Sequence, residues 1–249
     1  VFKNTIELGK IFPEKKSIFK EKFPHNFSKK SFEIKDGIVY MAEKDLLIFD
    51  INKRKLFSSS ALDKLLQGKI INNLKIIDEF LYSSFDNGLI SIPINELFND
   101  DIVHEKKQIK LYEYNELLNK DVPRGFNDIE KINDFFYVTN QQSSLSVYEG
   151  NFNSFIKNYK FNGDPSTSLA SSSPTKLMYV DKEKQLYIGS IGSGLFKFNI
   201  LDKTFTNIKS DQGLLSNNVY DFLNTNEKLY VQSGSGVNYL ENNLIKNIN

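Results

Sequence analysis

An all-β fold built from repeated four-stranded antiparallel units is predicted by three observations. Apolar residues alternate with a period of two rather than 3.6, one pattern recurs five times along the chain, and every copy contains four short strand-like runs divided by Gly, Ser, Asn and Asp turns. A lone four-stranded sheet cannot bury both of its faces, so units of this kind pack face to face around an axis. The architecture expected at a period of 40–50 residues is therefore a β-propeller with five clear blades.

The five copies read "SFEIKDGIVYMAEKDLLIFD" (31–50), "NLKIIDEFLYSSFDNGLISI" (73–92), "DIEKINDFFYVTNQQSSLSVYE" (128–149), "LMYVDKEKQLYIGSIGSGLFKFN" (177–199) and "VYDFLNTNEKLYVQSGSGVNYLE" (219–241). Each holds three strands. An anchor tyrosine marks the second strand of every copy (Tyr40, Tyr82, Tyr137, Tyr187 and Tyr230), with spacings of 42, 55, 50 and 43 residues. Leu46, Leu89, Leu145, Leu195 and Val237 mark the third strands in the same rhythm. Fourth strands are assigned to "RKLFSS" (54–59), "QIKLYEY" (108–114), "SFIKNYKF" (154–161), "KTFTNIKS" (203–210) and "NLIKNIN" (243–249). The blades then run about 31–69, 70–126, 127–176, 177–218 and 219–249, leaving 1–30 as an N-terminal segment and a candidate partial sixth blade. Short helices are expected only in connections, at Ala61–Leu66, Ile94–Phe98 and Asn115–Asn119. The stretch 163–176, "GDPSTSLASSSPTK", reads as an exposed connection punctuated by Pro165 and Pro174, with contact to a partner as its functional version.

Composition narrows the function. Of 249 residues 40% are hydrophobic, enough for a substantial core, and 21 Phe and 12 Tyr favour strands. Charge is balanced, with 32 Lys+Arg against 31 Asp+Glu, so no global field gathers nucleic acid or an anionic membrane. Only Arg54 and Arg124 supply the bidentate guanidinium that reads bases and phosphates, and nucleic acid is excluded as a partner. Cysteine is absent, which removes disulfides, thiolate metal sites and a Cys nucleophile. No apolar run approaches the ~20 residues of a membrane span, so membrane attachment is expected only through segments outside this chain.

"YIGSIGSGLFKF" (187–198) tests the nucleotide-enzyme reading. Its G-x-x-G-x-G spacing comes near a dinucleotide fingerprint, but such a loop needs a helix to follow, and "LFKFNI" alternates as a strand. Its counterparts "SFDNGL" and "QSGSGV" are ordinary hairpin chemistry. His25 and His104 stand apart without histidine partners, and Asp100, Asp101 and Glu105 lack the ligand spacing of a calcium loop, so no catalytic residue, cofactor or metal site is assigned.

"GLLSNNV" (213–219), "LYIGS" (186–190) and "SGLFKFN" (193–199) together resemble the two-component-regulator propeller repeat, with Tyr where that repeat has Trp. The resemblance covers 177–249 well, 31–160 loosely and 1–30 hardly at all. It implies a propeller from the periplasmic sensor region of a hybrid two-component regulator, at the bacterial periplasm or cell surface, non-catalytic and ligand-sensing. The alternative is a scaffold that docks a protein partner or a second copy in a secretion or surface assembly; a propeller lyase or hydrolase ranks third.

Blade geometry gives the ligand an address. The turn between second and third strands and the loop entering the next blade share one rim of the channel. These segments offer Ser84, Asp86, Asn87, Gln141, Gln142, Ser190, Ser193, Asn217, Asn218, Gln232, Ser233 and Ser235. Mostly neutral hydrogen-bonding groups would suit a carbohydrate or peptide.

Overall fold

Among the described residues of the computed structural model, twenty short strands form five antiparallel sheets of four, and within every sheet the strands lie in simple sequence order. The structure describes residues 32–42, 46–57, 69, 71–85, 88–98, 109–113, 126–140, 144–150, 152, 154–170, 173–225, 228–241 and 244–248. The first blade comprises β1 (Phe32–Lys35), β2 (Ile38–Ala42), β3 (Leu46–Asp50) and β4 (Lys55–Phe57). The second comprises β5 (Ile71–Ile77), β6 (Phe80–Phe85), β7 (Gly88–Pro93) and β8 (Lys110–Glu113). The third comprises β9 (Phe126–Ile132), β10 (Phe135–Asn140), β11 (Ser144–Glu149) and β12 (Ser154–Lys160). β13 (Pro174–Val180), β14 (Gln185–Ser190), β15 (Leu195–Asn199) and β16 (Phe205–Ile208) make the fourth, and β17 (Val219–Asn224), β18 (Leu229–Ser233), β19 (Gly236–Glu241) and β20 (Leu244–Asn247) the fifth. First strands of successive blades stand side by side, β1 against β5, β5 against β9, β9 against β13 and β13 against β17, which wraps the sheets around a common axis as propeller blades.

The cores lie between blades, and the anchor tyrosines build them. Tyr40 shares a core cluster with Leu74 and Leu81 of the next blade, Tyr82 with Ile129 and Phe136, Tyr137 with Leu177 and Leu186, and Tyr187 with Phe222 and Leu229. All four of these tyrosines are buried, whereas Tyr230, whose blade is the last described, is half-buried. Register is conserved with them. Opposite the five tyrosines on the first strands stand Glu33, Lys75, Glu130, Met178 and Leu223. Each of β5, β9, β13 and β17 also slips register near its start, so four blades share a bulge at one place.

Two sequence expectations change in detail. Pro174 is not loop punctuation: it is buried and opens β13, a strand position where a missing N–H is tolerated. Of the Ser-rich connection, 163–167 are exposed, but Leu169 is fully buried in the core between the third and fourth blades and bridges Lys160. Asp164 organises the exposed part by accepting from Ser166 N at 2.8 Å, Ser166 Oγ at 2.7 Å and Thr167 Oγ1 at 3.2 Å. Of the expected helices, Ile94–Phe98 forms a single 3-10 turn that buries Leu97. Ala61–Leu66, Asn115–Asn119 and the segment 1–30 lie outside the described residues.

Candidate functional site

The hairpin "YIGSIGSGLFKF" turns from β14 into β15 through Gly192 (φ 81°) and Gly194 (φ 85°), both left-handed. Ser190 is fully buried, and its Oγ donates to the Gly194 carbonyl at 2.7 Å, closing the turn from inside. Ser233 does the same in the fifth blade, donating to the Gly236 carbonyl at 3.1 Å. The loop 213–218 is threaded between these two turns. Gly194 N–H donates to the Asn217 carbonyl at 2.9 Å, Gly192 N–H to Asn218 Oδ1 at 2.8 Å, and Gly234 N–H to the Asn218 carbonyl at 2.8 Å. The glycines therefore serve turning and blade-to-blade approach: a Cβ on Gly189 would meet Thr175 Oγ1 at 2.7 Å and Val219 Cγ1 at 2.9 Å.

These contacts permit a controlled comparison. A Cβ on Gly194 would overlap the Ile208 carbonyl, while a Cβ on Gly192 meets nothing within 4 Å, although both have positive φ. Gly192→Ala is expected to cost only the left-handed backbone term, about 1–2 kcal/mol, and Gly194→Ala distinctly more. Urea denaturation of the two variants measures the difference; equal midpoints would refute the packing role of Gly194.

Of the residues expected at a ligand rim, Ser190, Ser193, Asn217, Asn218, Gln232, Ser233 and Ser235 lie in or between the hairpins of the fourth and fifth blades. Ser190 and Ser233 are consumed by the turns, and Asn217 and Asn218 spend their side-chain oxygens on Ser210 N and Gly192 N. Ser235 is exposed and Ser193 and Gln232 are half-buried. Ser84 is buried in β6 opposite Asn73 and Leu89, and its hydroxyl has no hydrogen-bond partner among the described residues. Asp86, Asn87, Gln141 and Gln142 lie outside the described residues, as do His25, His104, Asp100, Asp101 and Glu105.

Around the axis lies a feature that reasoning from turns missed, an ion network carried by the first strands. Lys75 Nζ lies 3.3 Å from Glu130 Oε2, joining the second and third blades, and Lys176 Nζ lies 3.8 Å from Asp128 Oδ2, joining the third and fourth. Asp128 is the hub. Its fully buried carboxylate accepts from Ile129 N at 3.0 Å, from Leu177 N of the next blade at 3.0 Å and from Asn73 Nδ2 of the previous one at 3.4 Å. Burial pushes its pKa up, but Lys176, Lys75 and the amides of Leu177 and Ile129 outweigh that and hold it below the ordinary value. Asn73 and Asp221 repeat the local part of the motif, each accepting from the N–H of the residue that follows.

A second series of bonds runs beside it from blade to blade. Asn73 Nδ2 donates to the Asn127 carbonyl, Asn127 Nδ2 to the Pro174 carbonyl at 2.6 Å and Thr175 Oγ1 to the Val219 carbonyl at 2.8 Å. Burial raises Glu33 and Glu130, with Lys75 the main influence pulling each back, while the field of Asp128 lifts Lys75 against its own burial. One signal was legible: Glu33, Lys75 and Glu130 each precede an anchor tyrosine by the same interval and alternate in sign. Among the described residues no group of three His, Cys, Asp or Glu side chains is placed to hold a metal.

The described residues form a propeller of five blades whose first strands carry a mixed-charge network. Solved structures show the same fold. The chain is similar to the extracellular domain of a hybrid two-component system from B. thetaiotaomicron at a TM-score of 0.64, with 14% identity over 91% of this chain and 28% of that one. A second such extracellular domain from B. thetaiotaomicron matches at 0.55, with 16% identity over 72% of this chain and 24% of that one. A computationally designed protein matches at 0.55, with 10% identity over 91% of this chain and 62% of that one. The chain thus spans about a quarter of the bacterial domains it resembles. No family model and no curated protein matches the sequence. Among the described residues, no helix is long and apolar enough to cross a membrane.

Proposed function

We propose that this chain is a non-catalytic, extracytoplasmic ligand-sensing propeller of a two-component signalling protein, which meets a carbohydrate or peptide at the rim formed by 190–194, 213–218 and 233–236. One observation supports the reading: three turns from two blades are joined by hydrogen bonds from the Gly192, Gly194 and Gly234 amides, with Ser193 in one of these turns and Gln232 and Ser235 beside or in another. Fixed neutral donors and acceptors of this kind suit hydroxyl- and amide-rich ligands, because little ordering cost remains to be met on binding. The likeness to extracellular domains of hybrid two-component systems supports the compartment and the signalling role.

Thermal-shift screening against oligosaccharide and peptide panels tests it. A ligand at a hundred times its Kd stabilises the folded state by about 2.7 kcal/mol, a shift of about 5–10 °C for a domain of this size. The Ser193→Ala/Gln232→Ala double variant should lose that shift while melting like the wild type without ligand. A silent panel, or unchanged binding by the double variant, would count against the rim.

A second reading, docking of a protein partner or a second copy, is favoured by the fifth blade. Leu223 stands opposite the half-buried Tyr230 and is 46% exposed, and Tyr220 and Leu244 on the same blade are 45% and 62% exposed. If this surface self-associates, light scattering should show a concentration-dependent mass that Leu223→Lys abolishes; a mass independent of concentration would leave the docking reading without a second copy.

A further inference from the structure

We propose that the outward face of the fifth blade is an interblade face whose occupant is a sixth blade of the same polypeptide, following β20. On this face Leu223, Tyr230, Tyr239 and Lys246 form one cross-strand row. Met178, Tyr187, Lys197 and Thr206 form the equivalent row of the fourth blade. There Tyr187 and Met178 share a core with Val219, Phe222, Leu229 and Val231 of the fifth blade. Tyr40, Tyr82 and Tyr137 are covered in the same way by the blades that follow them. On the fifth blade the row stays open: Tyr230 and Tyr239 are half-buried, and Leu223 and Leu244 are exposed.

The polar groups of β17 follow the same pattern and stop at the same place. Asp128 Oδ1 accepts from Ile129 N at 3.0 Å, while Oδ2 reaches the following blade at Leu177 N, 3.0 Å away, and Lys176 Nζ, 3.8 Å away. Asp221 stands at the equivalent position, two residues before the partner of an anchor tyrosine, and accepts from Phe222 N at 2.9 Å. Among the described residues no cation lies within ion-pair distance of it. One residue earlier, Asn127 and Thr175 donate to the Pro174 and Val219 carbonyls of the next blade at 2.6 Å and 2.8 Å, and the residue at that position of β17, Tyr220, is exposed.

An occupant that completes both patterns offers an apolar sheet face, a main-chain N–H near the start of its first strand and a Lys or Arg beside that N–H. Lys176, Leu177 and Leu186 present this set to the third blade, so it is the leading face of a blade of this repeat. Connections 58–70, 114–125, 161–173 and 209–218 set each first strand against the blade before it. A blade joined to β20 by a connection of similar length meets Leu223 and Tyr230 in the geometry already used four times. A second copy docked through the same face on a two-fold axis would set two trailing faces together, a pairing found at none of the four described interfaces.

The proposed blade competes with a second copy for this face and is independent of the rim. The chain contains no cysteine, so single introduced thiols report on the face without background. Leu223→Cys and, as the covered control, Met178→Cys are labelled with a maleimide in residues 1–249 and in the product of the whole reading frame, with masses followed by light scattering. In residues 1–249 the thiol at position 223 should react at least about tenfold faster than that at 178, and in the whole product the two should react alike, because labelling then waits on local opening. Asp221→Ala should lower the urea midpoint of the whole product more than that of residues 1–249. A reading frame that closes within about 40 residues of Asn249, too few for a blade, would overturn the proposal. So would fast labelling of Leu223→Cys in the whole product, or equal Asp221→Ala shifts in the two proteins. Protection that appears in residues 1–249 only with a doubled mass would make a second copy the occupant, and protection in monomeric residues 1–249 would mean that the five blades close on themselves; either result also overturns the sixth blade.

Discussion

Asp128→Ala is expected to destabilise the fold by about 3–5 kcal/mol at pH 7. It removes the carboxylate paired with Lys176, weakens the field that acts on Lys75, and leaves the buried amides of Leu177 and Ile129 without an acceptor. Three blades lose a shared contact at once, since Asn73, Asp128 and Leu177 belong to the second, third and fourth. Urea denaturation reads the change as a lowered midpoint with an unchanged slope. A loss below about 1 kcal/mol would mean that water replaces the carboxylate.

The pH dependence has a definite sign. Asp128 has a depressed folded-state pKa, so its stabilisation is present above the ordinary value of 3.8 and is lost as the pH falls through the folded value. The gap between wild type and Asp128→Ala should therefore narrow in that acid window. Glu33 and Glu130 act in the other direction. Their folded-state values are raised above 4.5, so their contribution is present below 4.5 and is lost as the pH rises through the folded values. Mild acidification from neutrality should accordingly stabilise the chain before Asp128 begins to titrate.

Phe198→Ala is expected to cost about 3–5 kcal/mol for a different reason. Phe198 is fully buried, and its ring centroid lies 6.1 Å from Tyr137, 4.9 Å from Tyr159 and 4.6 Å from Phe205. Two of those neighbours belong to the third blade, so truncation empties the space between blades rather than inside one sheet. In a repeat architecture the interface between neighbours carries much of the stability, and a cavity there cannot be closed by one sheet collapsing alone. Phe161→Ala, at a ring 53% exposed, should stay within about 0.5 kcal/mol of wild type and serves as the control. Comparable losses in the two variants would contradict the interblade role.

The blades and their strand order are legible in the residues themselves, and particular positions show why. Alternation around Tyr40, Tyr82, Tyr137, Tyr187 and Tyr230, with Gly, Ser and Asn between runs, reports a pleated strand and a tight turn, both settled within about ten residues of chain. The turn at "YIGSIGSGLFKF" is legible for the same reason, because a strand rather than a helix follows its glycines. Pro174 is ambiguous in sequence, since a proline marks a loop or a strand's first residue equally well, and only its pairing with Ser190 distinguishes them. The burial of Ser190 and Ser233 is illegible for a related reason: a turn serine can face solvent or reach back to its own hairpin carbonyl, as these do.

Local periodicity thus accounts for the all-β class, the blade repeat and the placement of the turns, since each depends on neighbours in the chain. The hub at Asp128 and the ion pair of Glu130 do not. Their partners Asn73, Leu177, Lys75 and Lys176 lie in other blades, and whether a charge is satisfied, shifted or left over depends on distances of a few ångströms across an axis that exists only once the blades have packed around it.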